Sequence, residues 1–106
     1  MMTIYRYPVP IRDLFTLELP LGSKFLAAEC QLRAPHEPSM WFLVDPEREP
    51  VTREFAVIGT GNPVPDYIEG SEHLATFQML VGHFVWHLFE VLEVPVDLRS
   101  ETEEES

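Results

Sequence analysis

Apolar and polar residues alternate with a period of two along much of this chain, the spacing of strands half-buried in a sheet. Tyr5 and Tyr7 fall on one side of the segment Thr3 to Pro8, with Ile4 and Arg6 on the other. Pro8 and Pro10 end that strand or confine it to an edge. Phe15, Leu17 and Leu19 alternate with Thr16 and Glu18. The run Pro20-Leu21-Gly22-Ser23 has turn chemistry. Lys24 to Leu32 resumes the pattern, with Leu26, Ala28, Cys30 and Leu32 on one face. Segments 15–19 and 24–32 therefore read as a β-hairpin. Met40 to Val44 is apolar on both sides, as a central strand covered on both faces would be. Arg53 to Ile58 supplies a fifth strand. Gly59 to Gly70 holds three glycines, two prolines and an Asn-Pro step, so it reads as a long irregular loop. Loops of that length in compact domains often carry function.

Residues 74–94 are ambiguous. As a helix, Phe77, Val81, Phe84, Leu88 and Val91 would form one stripe. As strands, Leu74–Val81 and Phe84–Leu92 would flank a turn at Gly82-His83. Glycine disfavours a continuous helix by about 1 kcal/mol. The Phe, Val and Trp content suits strands. The hairpin is the preferred reading. The fold expected is thus all-β, a small antiparallel sandwich or partly closed barrel of about seven strands. Residues 1–96 form a single β domain, and 97–106 form an acidic disordered tail.

Charge narrows the partners. The 106 residues carry a formal net charge of -11. Residues 1–33 have four basic and three acidic side chains, whereas residues 34–106 have three and fifteen. Such a surface repels nucleic acid and anionic membrane. It suits solubility, a basic partner, or an acidic mimic of nucleic acid. The start MMTIYRYPVP has no apolar core of a secretory signal, and no apolar run approaches the roughly 20 residues of a bilayer span. A cytoplasmic protein, of host or bacterial cytoplasm, is expected.

Candidate chemistry is sparse. Cys30 is the one cysteine, without a base nearby in sequence, and reads as a small buried hydrophobe. His83 and His87 could share a metal on a helix, about 6 Å apart, but on a strand they lie roughly 13 Å apart. The strand reading therefore expects no metal there. His73 and His36 lie in or near loops, and their spacing indicates no site. Gly59-Thr60-Gly61 lacks the third glycine of a dinucleotide fingerprint and the Lys-Ser/Thr of a P-loop. Its glycines more simply allow positive φ at a strand exit. Thr60, Asn62, Asp66, Trp41 and His87 are the candidate lining of a ligand-binding turn. Glu90, within an apolar strand, faces solvent or pairs with an arginine such as Arg6 or Arg53. No catalytic set, cofactor or metal is expected. An enzyme would need His73, His83 or His87 to meet a carboxylate in a cleft. The aromatics point elsewhere. Trp41 and Phe42 point opposite ways on one strand, as do Val85 and Trp86, so both faces carry bulk. A second sheet covers only one face. The other must meet a barrel wall, a loop or another subunit.

Five blocks occur in order: Ile4-Tyr5-Arg6-Tyr7, Leu19 to Lys24, Trp41 to Pro46, Phe55 to Pro63, and Phe84 to Glu90. Together they resemble a family of small uncharacterised proteins, a domain of unknown function, in tailed phages and bacteria. The resemblance spans residues 4–91 and implies a setting rather than an activity. Members usually have histidine where this chain has Asn62, and Gly-Thr before a glutamine where it has Ala75-Thr76-Phe77-Gln78. No catalytic residue carries over. The expected function is that of a non-enzymatic phage or prophage accessory protein that binds a protein partner or itself. The alternatives are a small-molecule-sequestering protein and an acidic decoy.

Overall fold

The computed structural model describes residues 1–80 and 82–92. Its seven strands are β1 (Thr3–Pro8), β2 (Phe15–Pro20), β3 (Lys24–Cys30), β4 (Pro38–Val44), β5 (Pro50–Gly59), β6 (Glu72–Met79) and β7 (Phe84–Val91). They form a three-stranded sheet in the order β1-β4-β3 and a four-stranded sheet in the order β2-β5-β7-β6. Every pairing is antiparallel. The all-β sandwich expected from the alternation is therefore the fold, and it is not closed into a barrel. The expected acidic tail lies outside the described residues.

The core is the space between the sheets. Met40, Phe42 and Val44 of β4 meet Phe55 and Val57 of β5, Leu88 of β7 and Phe77 of β6. Phe42 is central. Its ring takes Tyr7 and Phe25 edge-on within its own sheet and Phe55 edge-on across the gap, with centroids 5.8, 5.6 and 6.1 Å away. Aromatic pairs favour such edge-to-face contacts.

The expected hairpin of residues 15–19 with 24–32 does not form. β2 pairs with β5, and β3 pairs with β4. The intervening turn instead carries the chain from one sheet to the other. Gly22 has φ +81°, Ser23 N–H donates to the Pro20 carbonyl, and the buried Ser23 hydroxyl donates there too. Pro20 is thus the first residue of a type II turn, whose third position needs positive φ. Leu21 N–H donates to Glu49, tying this crossing to the one between β4 and β5.

β3 departs from strict alternation. Phe25 faces Phe42 and Ala27 faces Trp41, so Leu26 is an extra, bulged residue. The bulge sends Phe25 and Ala28 inward and leaves Leu26 43% exposed. The face of Leu26, Ala28, Cys30 and Leu32 read from the sequence does not exist. Leu32, beyond the strand, is 93% exposed.

The reading of 74–94 as a hairpin holds. β6 and β7 pair, with His83 N–H closing the turn on the Leu80 carbonyl. Residues 60–71 then return across the outer face of the four-stranded sheet. They include a 3-10 helix at Asp66–Ile68, whose Ile68 joins Ala56, Ile58 and Val91 in a second small core. Tyr67 packs beside them and donates its hydroxyl to the Asp13 carbonyl. A loop is therefore what covers this sheet.

Candidate functional site

Two surfaces stand out from this frame, on opposite sides of the sandwich. The first is the outer face of the three-stranded sheet. Paired residues in an antiparallel sheet share a face. The register thus sets three rows outward: Ile4, Leu43 and Lys24; Arg6, Trp41 and Ala27; Pro8, Ser39 and Glu29. The third row is partly screened, with Ser39 6% exposed and Ile11, His36 and Glu37 gathered beside it. Ile4 is 56% exposed, and Trp41 and Leu43 are half-buried. The expectation that Met40 to Val44 is covered on both faces is met on the core side only.

The second surface is a hydrogen-bonded chain beside the 60–71 loop. Thr60 Oγ1 lies 2.8 Å from His87 Nε2, His87 Nδ1 lies 3.0 Å from Thr76 Oγ1, and Thr76 Oγ1 lies 3.1 Å from His73 Nε2. Its direction follows from one end. Thr60 Oγ1 donates to the Val85 carbonyl at 3.3 Å, so it accepts from His87 Nε2–H. A neutral His87 then has a bare Nδ1, which accepts the Thr76 hydroxyl proton. Thr76 has one proton, so its oxygen accepts from His73 Nε2–H. The chain fixes the Nε2–H tautomer on His87 and aims its Nδ1 lone pair at Thr76.

His73 reaches this chain through a backbone irregularity. Counting from the turn, Thr76 faces His87 and Ala75 faces Leu88, but His73 faces Phe89. Leu74 is the extra residue. Strict alternation from Thr76 would point His73 toward the core. The bulge turns it outward, with its ring edge-on to Phe89 at 5.3 Å. Bulges commonly re-aim a side chain in this way.

Of the five residues expected to line a ligand turn, a hydrogen bond joins only Thr60 and His87. Asn62 follows in the loop, its N–H donating to Gly59. It lines a shallow groove with Arg12, Asp13, Pro63 and Trp86 at one end of the sandwich. Gly59 has ordinary φ. It is needed because a Cβ there would lie 3.0 Å from the Trp86 ring and 2.8 Å from the Asn62 amide. The positive φ belongs to Gly61, at +87°. Asp66 opens the 3-10 helix and is exposed. Trp41 sits on the opposite sheet. His83 is exposed in the β6–β7 turn, and β7 is a strand, so the pair 83/87 does not share a helix face. Among the described residues, no three of His, Cys, Asp and Glu gather as metal ligands.

Glu90 pairs with Arg53, one of the two arginines the sequence offered. Arg53 Nε donates to Oε2 at 2.6 Å and an Nη to Oε1 at 2.8 Å. Cys30 is half-buried, and burial, then the nearby Glu29 carboxylate, push its thiol up from the ordinary range. Thiolate is the reactive form. Alkylation by iodoacetamide at pH 8 is therefore expected to run several-fold slower than that of a free cysteine peptide. Equal rates would show that neither burial nor Glu29 protects the sulfur.

No helix among the described residues is long and apolar enough to cross a membrane. No curated protein and no solved structure matches the chain. One family model does match, over residues 1–97, so the chain belongs to the family described as Domain of unknown function (DUF7352).

Proposed function

We propose that this domain is a non-enzymatic interaction protein, and that it associates with a second copy of itself through the outer face of the three-stranded sheet. The resemblance drawn from the sequence supports a setting in a tailed phage or a bacterium as part of this proposal. The observation that carries the reading is the open row Arg6-Trp41-Ala27, with Ile4 and Leu43 beside it. The opposite sheet is covered by the 60–71 loop, whereas Ile4, Arg6 and Ala27 stand exposed among the described residues.

The face is self-complementary. Consider a two-fold axis parallel to β4 above Trp41. It lays β1 of one copy over β3 of the other. Ile4 then meets the aliphatic stem of Lys24 of the partner subunit, the β3 residue of its own row. Arg6 lies over the partner's Ala27, whose small side chain leaves room, within reach of the partner's Glu29. Trp41 is the central aromatic anchor. A three-stranded sheet face with one aromatic anchor is a modest surface beside the ~800 Å² per partner of a standard complex. A weak dimer follows, with a dissociation constant on the order of 100 μM. Acidic side chains stand on both outer faces and in the β3–β4 and β4–β5 loops, which weighs against a decoy with one duplex-like face.

Sedimentation equilibrium up to about 1 mM tests this. Wild type is expected to show a monomer–dimer equilibrium. Ile4→Lys, which sets like charges opposite each other at Lys24, is expected to weaken it at least tenfold, and Arg6→Glu is expected to be rescued by Glu29→Arg. A wild type that stays monomeric, or a dimer indifferent to Ile4→Lys, would overturn the reading.

A further inference from the structure

Spacing along the chain does not join His73 to His87, and the interaction face does not use either. Yet two imidazole nitrogens converge on one hydroxyl oxygen. We propose that His73 Nε2, Thr76 Oγ1 and His87 Nδ1 form a binding site for a divalent transition-metal ion of the imidazole-preferring class, Cu²⁺ or Ni²⁺ before Zn²⁺.

The spacing fits ligands of one ion. With metal–ligand bonds of about 2.1 Å, neighbouring donors lie about 3.0 Å apart at right angles and about 3.4 Å apart at tetrahedral angles. The observed separations to the Thr76 oxygen are 3.0 and 3.1 Å. These are hydrogen-bond separations, short enough for the three donors to close on one ion, and Cu²⁺ binds tightest of the first-row divalent ions to a given donor set. Two nitrogen donors disfavour the hard cations Ca²⁺ and Mg²⁺, which select oxygen.

The site is also oriented from outside. A ligating histidine commonly donates its other ring N–H to a fixed acceptor, which sets the tautomer and turns the ligating lone pair inward. Thr60 does this for His87, because its own proton is held by the Val85 carbonyl. Phe89, edge-on to the His73 ring, restricts that ring. Metal binding asks for little rearrangement. The His73 proton moves from Nε2 to Nδ1, and the Thr76 hydroxyl proton turns away from His87. The formal charge of -11 favours a cation near the surface. With only one hydroxyl beside two imidazoles, the affinity expected is micromolar.

Titration of the full chain with NiCl₂ and CuCl₂, followed by calorimetry and by ¹⁵N NMR of the imidazoles, tests the proposal. One saturable site is expected, with His73 and His87 resonances shifted or broadened first. His73→Gln and His87→Gln should each weaken binding at least tenfold. Thr60→Val should weaken it severalfold through loss of ring orientation. His36→Gln and His83→Gln should leave it unchanged, since those rings stand apart. Circular dichroism of each variant confirms a folded chain. No saturable binding, or binding that His73→Gln and His36→Gln affect alike, would overturn the assignment.

Discussion

Replacing Phe42 by alanine is expected to cost this domain about 4 kcal/mol of stability. The side chain is fully buried in β4, at the one place where both sheets share a ring. Tyr7 and Phe25 close on it from β1 and β3, and Phe55 from the opposite sheet. The Arg53 guanidinium lies over its face, 5.5 Å from the centroid. Truncation removes the transfer energy of the ring and leaves a cavity. The cavity cannot collapse easily, because its walls belong to different hydrogen-bonded ladders. Phe42→Leu retains most of the volume and is expected to cost about 1–2 kcal/mol. A loss of 1 kcal/mol lowers Tm by about 4–8 °C in a domain of this size. Thermal and urea denaturation should therefore place Phe42→Ala at least ~15 °C below wild type and Phe42→Leu between them. A Phe42→Ala loss under about 1.5 kcal/mol would mean that the sheets do not depend on this contact.

Phe42 also shows what the sequence makes legible. Alternation places Phe42 and Trp41 on opposite faces, and that is where they stand. The same rule located β1, β2 and β3, because burial on one face imposes a period of two; β4 came from an unbroken apolar run, and β6 and β7 from their Phe, Val and Trp content and the glycine between them. Alternation does not say which strand pairs with which. The turn at Pro20–Ser23 has hairpin length, yet it connects two sheets, since β2 gains more by joining β5 and β3 by joining β4. For β2 that choice rests on partners far away in sequence, from Pro20 with Pro50 to Phe15 with Phe55. Nor does alternation survive a bulge. One extra residue at Leu26 misplaced a face, and one at Leu74 hid the neighbour of His87. With Leu74 counted as extra, Thr76 and His73 would have stood out beside it. Of the candidate ligand turn, Thr60 and His87 meet because the strand exit at Gly59 lies opposite Trp86, one residue from His87. Trp41 was chosen for its bulk, a property that says nothing about which side of the sandwich it occupies.

Arg53→Met is expected to destabilise the fold by about 3 kcal/mol, and Arg53→Met combined with Glu90→Leu by less than about 1 kcal/mol. Glu90 sits opposite Phe55 in the register, so it points between the sheets. A carboxylate there needs a partner, because desolvating an unpaired charge costs several kcal/mol. Arg53 answers with two near-parallel bonds, and the pair is mostly buried, at 21% and 12% side-chain exposure. Its remaining Nη donates to the Ser23 carbonyl at 2.6 Å, in the turn that crosses between sheets. The guanidinium thus ties the acid of β7 to that turn while resting on Phe42. Removing the arginine strands the acid. Removing both restores an apolar boundary at a site already lined by aromatics. Arg53→Lys should not rescue, since an ammonium cannot make the paired bonds of a planar fork. Chemical denaturation of the two single variants and the double variant gives the coupling energy, expected to exceed about 2 kcal/mol. Additive losses would show that the two side chains act independently. The residues between the sheets would then tolerate a lone charge, which a dry core formed by Phe42, Phe55 and Leu88 does not allow.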